Sequence, residues 1–166
     1  GHQRREWGLA RLPELAASLL RGGFEVLLHD SRGRIPRAAG ASRLQVLNGF
    51  LEDLDAAVGT CDLLVCPMDP VRYRMRLSGI VLQAVASGIP FVLPEGTLSC
   101  RRFAPTGCCR AYAGGGPAGA LGAIEALAED YPRYSRASAS LAQRWAETQG
   151  EVRFLEACRA ALRLSS

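Results

Sequence analysis

Apolar residues of the chain recur in two periods that alternate along its first two thirds. Between residues 9 and 21, Leu9, Leu12, Ala16, Leu19 and Leu20 fall on one helical stripe, and Gly22-Gly23 end it. Phe24–His29 reads as a strand, followed by a polar loop over 30–43 that carries arginines and glycines. A short strand is predicted at Leu44–Leu47, and a helix over about 51–58 with Asn48 or Glu52-Asp53 near its start. Asp62–Pro67 is almost wholly apolar, the pattern of a strand covered on both faces. A loop over Met68–Arg76 leads to a helix from about Leu77-Ser78, whose apolar face is Leu77, Ile80, Val81, Ala84 and Val85. Gly88 closes that helix, Ile89–Pro94 reads as a second buried strand, and Cys108–Tyr112 as a further one. From Pro117 onward the pattern is helical, over about 117–129, 132–148 and 151–164.

Strands separated by helices at this spacing predict a parallel sheet with helices on both faces, a Rossmann-like α/β fold with a helical C-terminal end. At 166 residues the chain has the size of a single domain, read as an α/β core over 1–112 and a helical end over 113–166. Such sheets ordinarily begin with a strand entering a glycine loop, whereas this sequence opens on the glycine. The expectation is therefore a piece of a longer protein, lacking at least one strand and a partner domain.

Composition narrows the chemistry. Hydrophobic residues make up 48% and charged residues 22%, the balance of a globular domain, and no apolar run reaches the roughly 20 residues of a membrane span. With no secretory signal at the start, a cytoplasmic location is expected. All 20 residues counted as Lys or Arg are arginine. A P-loop, a pyridoxal-phosphate enzyme and a kinase each depend on a lysine, so none of these can work here through its usual residue. Arginine instead grips phosphate through a planar two-pronged fork. The six cysteines form no Cys-x-x-Cys pair; Cys61, Cys66 and Cys158 occupy apolar positions as small hydrophobes, and the vicinal Cys108-Cys109 are the least explained.

In open α/β sheets ligands bind beyond the carboxyl ends of the strands, against helix N-termini. Four segments belong to that edge: Gly1–Arg5, His29–Arg34, Pro67–Gly79 and Pro94–Thr97. They bring Arg4, Arg5, Arg32, Arg34, Arg72, Arg74 and Arg76 to one side, with the amides at Ser78-Gly79, a concentration of donors suited to a diphosphate.

The stretch Tyr73–Val92, reading YRMRLSGIVLQAVASGIPFV, resembles the donor-binding segment of B-type (GT-B), retaining glycosyltransferases that use nucleotide sugars. The family pattern is a polar loop, Ser-Gly or Phe-Gly, a Glu-Ala four or five residues on, then small-Gly-x-Pro-Val-Val. Gly1–Gly8 is similar to the family's phosphate loop, and Leu93–Thr97 resembles the loop after the next strand in one branch. The resemblance runs in order over roughly residues 1–130. It implies a transferase domain that binds a nucleoside-diphosphate sugar, with the acceptor held by an N-terminal domain. It makes Gly1, Arg4 and Arg5 part of the diphosphate site, supported by Arg74 and Arg76, with amides from Ser78 and Gly79. Gln83 would meet the ribose, Glu95, Gly96 and Thr97 the donor sugar, and the loops after His29 and around Leu47–Phe50 the base. Neither a metal nor any other cofactor is implied, since positive groups assist departure of the diphosphate.

Three positions depart from the family pattern. Its Glu-Ala glutamate is Gln83, the upstream glutamate falls near Met75, and the phosphate-loop lysine would be Trp7. Gln83 can still hydrogen-bond a ribose without a carboxylate's strength, Met75 cannot replace a carboxylate, and Arg74 or Arg76 can stand in for the lysine. The alternative is a catalytically degenerate domain of the same fold that binds nucleotide or acts as a scaffold. A response regulator would need a lysine, and a serine hydrolase a Gly-x-Ser-x-Gly elbow that the sequence lacks. Tyr73 is the lone aromatic residue in the Arg-rich loop, too few for a nucleic-acid stacking platform, so no nucleic-acid partner is expected. The predicted helix near 151–164, with Arg153, Arg159 and Arg163, would pack on the other domain or touch an anionic membrane peripherally.

Overall fold

The computed structural model describes residues 12–30, 42–114, 116–149 and 159. Helix α1 (Leu12–Arg21) buries Leu15, Ala16 and Leu19 and leaves its polar side exposed. Gly22 and Gly23 turn the chain into β1 (Val26–Asp30), which pairs in parallel with β2 (Leu44–Asn48), Val26 opposite Leu44 and Asp30 opposite Asn48. The short helix α2 (Leu54–Gly59) starts at Asp53, whose carboxylate accepts the Ala56 amide at 2.8 Å. A second parallel sheet has the order β3 (Leu64–Val65), β4 (Phe91–Pro94), β5 (Cys109–Tyr112). Helix α3 (Gly79–Ala86) connects β3 to β4, and α4 (Leu98–Phe103) with a 3₁₀ turn at Ala104–Thr106 connects β4 to β5. Helices α5 (Pro117–Glu129) and α6 (Tyr131–Gln149) complete the described chain.

The strand β4 explains why this is a two-sided α/β architecture. Side chains alternate across a strand, so Phe91 and Leu93 face one side and Val92 the other. Phe91 and Leu93 join Val81, Val85, Phe103 and Leu141 beneath α3, α4 and α6. Val92 joins Leu15, Leu19, Ile124 and Leu127 beneath α1 and α5. Every residue of β4 is buried, which is what an apolar run without alternation requires of a central parallel strand. In β5, Cys109 and Tyr112 likewise go to opposite cores. The protein is thus a mixed α/β domain of the Rossmann-like class, with helices on both faces of parallel strands.

Helix α6 is held to the first core by aromatic edges: Phe91 meets Phe103 at 5.8 Å between ring centroids, and Phe103 meets Trp145 at 6.4 Å. Gly88 ends α3 with φ +69, and a β-carbon there would lie 3.5 Å from that of Ala142 and 3.6 Å from the α-carbon of Ala139. The left-handed conformation selects glycine, and its bare α-carbon lets α6 come close.

Two expectations need adjustment. The strand expected over Asp62–Pro67 pairs only at Leu64–Val65, and both residues are half-buried, because β4 is its one hydrogen-bonded neighbour among the described residues. The helix α4 was not anticipated: it is six residues long, too brief for a periodic stripe, and its signal is the Thr97 cap alone. The predicted helix over 151–164 lies outside the described residues, apart from Arg159.

Candidate anion site at the start of helix α3

The chain leaves β3 through Cys66 and enters a tight turn built on Asp69. The Asp69 carboxylate accepts the amides of Val71 at 2.8 Å and Arg72 at 3.4 Å, while its carbonyl accepts the Tyr73 amide at 3.0 Å. Tyr73 is buried and anchors the turn, and the Arg76 guanidinium lies 4.7 Å from its ring centroid. Arg74 and Arg76, which follow it in the chain, are exposed.

The turn delivers the chain to Ser78, which precedes α3 in an extended conformation. A serine at this position usually accepts an amide of the first helical turn, and Ser78 makes no such bond. Its backbone amide reaches Ser99 Oγ at 3.4 Å. The residue is 1% exposed, and its buried hydroxyl has no hydrogen-bond partner among the described residues. An unsatisfied buried hydroxyl costs about 1–3 kcal/mol, so it marks a place where a partner is owed. Next to it Gly79 is exposed, and a β-carbon built there meets nothing within 4 Å. The first-turn amides of α3 lie at the positive end of the helix.

The loop after β4 is fastened to this turn. The Leu98 amide donates to the Tyr73 carbonyl at 2.8 Å. Arg101 on α4 donates to the Gly96 carbonyl at 2.7 Å and, through its other nitrogen, to the Arg74 carbonyl. Gly96 has φ +80, and a β-carbon there would stand 3.6 Å from that of Pro70. Arg101 thus clamps two loops that are some 20 residues apart in sequence; neither it nor Ser99 was among the sequence candidates.

The structure fastens the loop of Glu95, Gly96 and Thr97 to the turn that carries Arg74 and Arg76 and leads to Ser78 and Gly79. Their roles differ from the expectation in two respects. Thr97 is fully buried and caps α4, donating to the Pro94 carbonyl at 3.0 Å and accepting the Cys100 amide at 3.1 Å, so its hydroxyl shapes the loop. Gln83 lies a turn further along α3, and its side-chain amide donates to the Asp55 carboxylate of α2. Gly1, Arg4, Arg5 and the arginines of the 30–43 loop, Arg32 and Arg34, lie outside the described residues.

On the other parallel pair, His29 Nε2 donates to the Gly49 carbonyl at 2.9 Å, tying the ends of β1 and β2 together. Asp30 is fully buried at the end of β1. A cavity of about 420 Å³ lies beside β5, lined by Arg110, Arg133 and Tyr134 among others. Of the predicted binding residues it is lined only by Glu95.

Cys66, Cys100, Cys108 and Cys109 are buried and Cys61 is half-buried. Burial pushes the Cys66 thiol up to about 12, and Cys108, fully buried, is also raised by burial. Cys100 is lowered by a hydrogen bond with Cys109, which is raised in turn by the same bond and by burial. Among the described residues no three His, Cys, Asp or Glu side chains gather as a metal site, and no helix is long and apolar enough to cross a membrane. No protein-family model matches the chain, and no curated protein is similar to it.

Proposed function

We propose that this domain binds a nucleoside-diphosphate sugar, its phosphates at the start of α3, and serves as the donor half of a retaining hexosyltransferase. The observation that carries the reading is the buried Ser78 hydroxyl, unpartnered among the described residues, beside the exposed Gly79 at the start of α3. A phosphate oxygen there accepts from the hydroxyl and from the Gly79 and Ile80 amides together. Arg74 and Arg76 stand near enough in the chain to reach the outer oxygens, and the resemblance of Tyr73–Val92 to a donor-binding segment supplies the sugar-nucleotide class. As the sugar departs, negative charge grows on the diphosphate, and fixed amides with guanidinium groups are the donors that stabilise it. The acceptor belongs to an N-terminal domain outside this chain.

The test is a thermal-shift panel of UDP, GDP, ADP and their sugars, followed by calorimetry on the best ligand. Replacing Arg74 and Arg76 together with Ala is expected to weaken diphosphate binding tenfold or more, since each charge-assisted contact contributes about 1.5–3 kcal/mol. Unchanged affinity in the double variant sinks this placement of the phosphates.

The second reading, a degenerate domain that binds nucleotide without turnover, is favoured by one contact. The Gln83 amide is engaged by Asp55, and the carboxylate pair of the family pattern is absent at Met75 and Gln83.

A further inference from the structure

Cys66, Cys100, Cys108 and Cys109 are buried in the same core, beneath α3, α4 and α6. Their thiols have different partners. Cys108 Sγ lies 2.9 Å from Thr106 Oγ1 and reaches the Phe103 carbonyl at 3.7 Å. Cys109 is hydrogen-bonded instead to Cys100, in the first turn of α4. The chain between the two turns back through Ala104–Thr106 and Gly107, which takes a φ of +81. That reversal returns Cys109, at the start of β5, to Cys100.

The pair is also within reach of small molecules. Cys109 is 6% exposed, yet it lines the cavity of about 420 Å³ beside β5, where Glu95, Arg110 and Arg133 supply polar groups. A polar cavity of that volume admits water-sized molecules to a thiol that the rest of the surface covers. The hydrogen bond then sets the order of reaction. Cys109 donates and Cys100 accepts, which holds the Cys100 thiol below its ordinary value and pushes that of Cys109 up, with burial adding to the rise. The thiolate is the nucleophile in thiol oxidation, so Cys100 reacts first.

We propose that Cys100 and Cys109 form a redox modification site, closed to a disulfide by hydrogen peroxide that enters through the cavity beside β5. The Cys100 thiolate attacks one peroxide oxygen and the O–O bond breaks, leaving a sulfenic acid and a hydroxide that takes up the thiol's proton as water. The Cys109 sulfur then attacks the sulfenic sulfur, the S–O bond breaks, and a second water leaves with the Cys109 proton. Two thiols lose two electrons and two protons, and the peroxide is reduced to two waters. The disulfide joins α4 to β5, and a dithiol reductant reopens it. The inference does not rest on the nucleotide reading and shares no residue with the proposed phosphate position.

The test exposes the reduced chain to hydrogen peroxide, removes the excess with catalase, and alkylates the remaining thiols in denaturant for intact mass. Two fewer alkyl groups than the six of the reduced chain are expected, with all six restored by dithiothreitol. In a tryptic digest the link should join the peptide Leu77–Arg101 to the peptide Phe103–Arg110. Cys108→Ala should keep that link, which leaves Cys109 as its second end, whereas Cys100→Ala and Cys109→Ala should each abolish it. Should either of the last two fail to fold, the Cys108→Ala digest decides alone. The rate should be indifferent to urea below the unfolding transition. A rate that climbs with urea there overturns entry through the cavity, since oxidation by way of unfolding follows the falling stability. Six alkyl groups after peroxide, a link through Cys66 or Cys108, a link between chains, or sulfinic acid without a link equally overturns the proposal.

Discussion

Replacing Ser78 with Ala is expected to stabilise the unliganded protein while weakening its ligand, two effects of opposite sign from one atom. The hydroxyl is buried and unpartnered among the described residues, so in the free protein it contributes a desolvation penalty without a compensating bond. Nor does it cap α3, so the usual loss of about 1 kcal/mol on removing an N-terminal serine does not arise. Removal of the oxygen then gains about 1 kcal/mol, the low end of the unsatisfied-group range, because the small void left behind offsets part of it. For a chain of 166 residues that corresponds to a rise of about 2–4 °C in melting temperature. With a phosphate bound the balance reverses: a charge-assisted bond of about 1.5–3 kcal/mol is lost, a drop of roughly ten- to a hundredfold in affinity. Calorimetric melts with and without the best nucleotide diphosphate, together with titration calorimetry, read both effects. A lower melting temperature for Ser78→Ala without ligand, or an unchanged dissociation constant, refutes the reasoning.

The Gln83–Asp55 contact separates the two functional readings. Gln83→Glu alone would place a second carboxylate against Asp55 and should destabilise the α2–α3 contact by about 1 kcal/mol at neutral pH, visible as a lower urea midpoint. Coupled with Asp55→Asn it should recover stability and, if the domain is an active donor site, increase donor hydrolysis measured by release of the diphosphate. No gain in the stable double variant favours the degenerate reading. Alkaline stability tests the buried thiol at Cys66. Its folded value is raised from 9.0 to about 12, so its contribution is fully present below about pH 9 and is lost as pH rises through about 12. Three units correspond to at most about 4 kcal/mol, and Cys66→Ala should flatten that part of a denaturation profile followed by urea midpoints from pH 8 to pH 11. An unchanged slope would show that the thiol remains neutral in neither state or in both.

How much of this was legible beforehand depends on where the determining interaction lies in the sequence. The elements governed by local periodicity came through: α1 after Leu12, the turn at Gly22-Gly23, and α5 over the predicted 117–129. The run Ile89–Pro94 carried enough apolar length to announce a strand buried on both faces, and β4 is that strand. What did not come through was set by contacts distant in sequence. Arg101 and Arg74 are 27 residues apart, and Gln83 and Asp55 are 28 apart, so no local pattern registers either bond. Thr97 shows the limit of motif reasoning most clearly. Its place in a loop after β4 suggested a ligand contact, yet the same hydroxyl is consumed in starting α4. Ser78 is the converse case, a residue at a helix start whose hydroxyl is left over. In sequence the two look alike, each a hydroxyl residue just ahead of a helix, and only the hydrogen-bond inventory tells them apart. A cap is satisfied by its own helix, whereas the Ser78 hydroxyl is buried and, among the described residues, unpartnered at the start of α3. That difference, rather than the count of arginines nearby, is what marks the start of α3 as the place to look for a ligand.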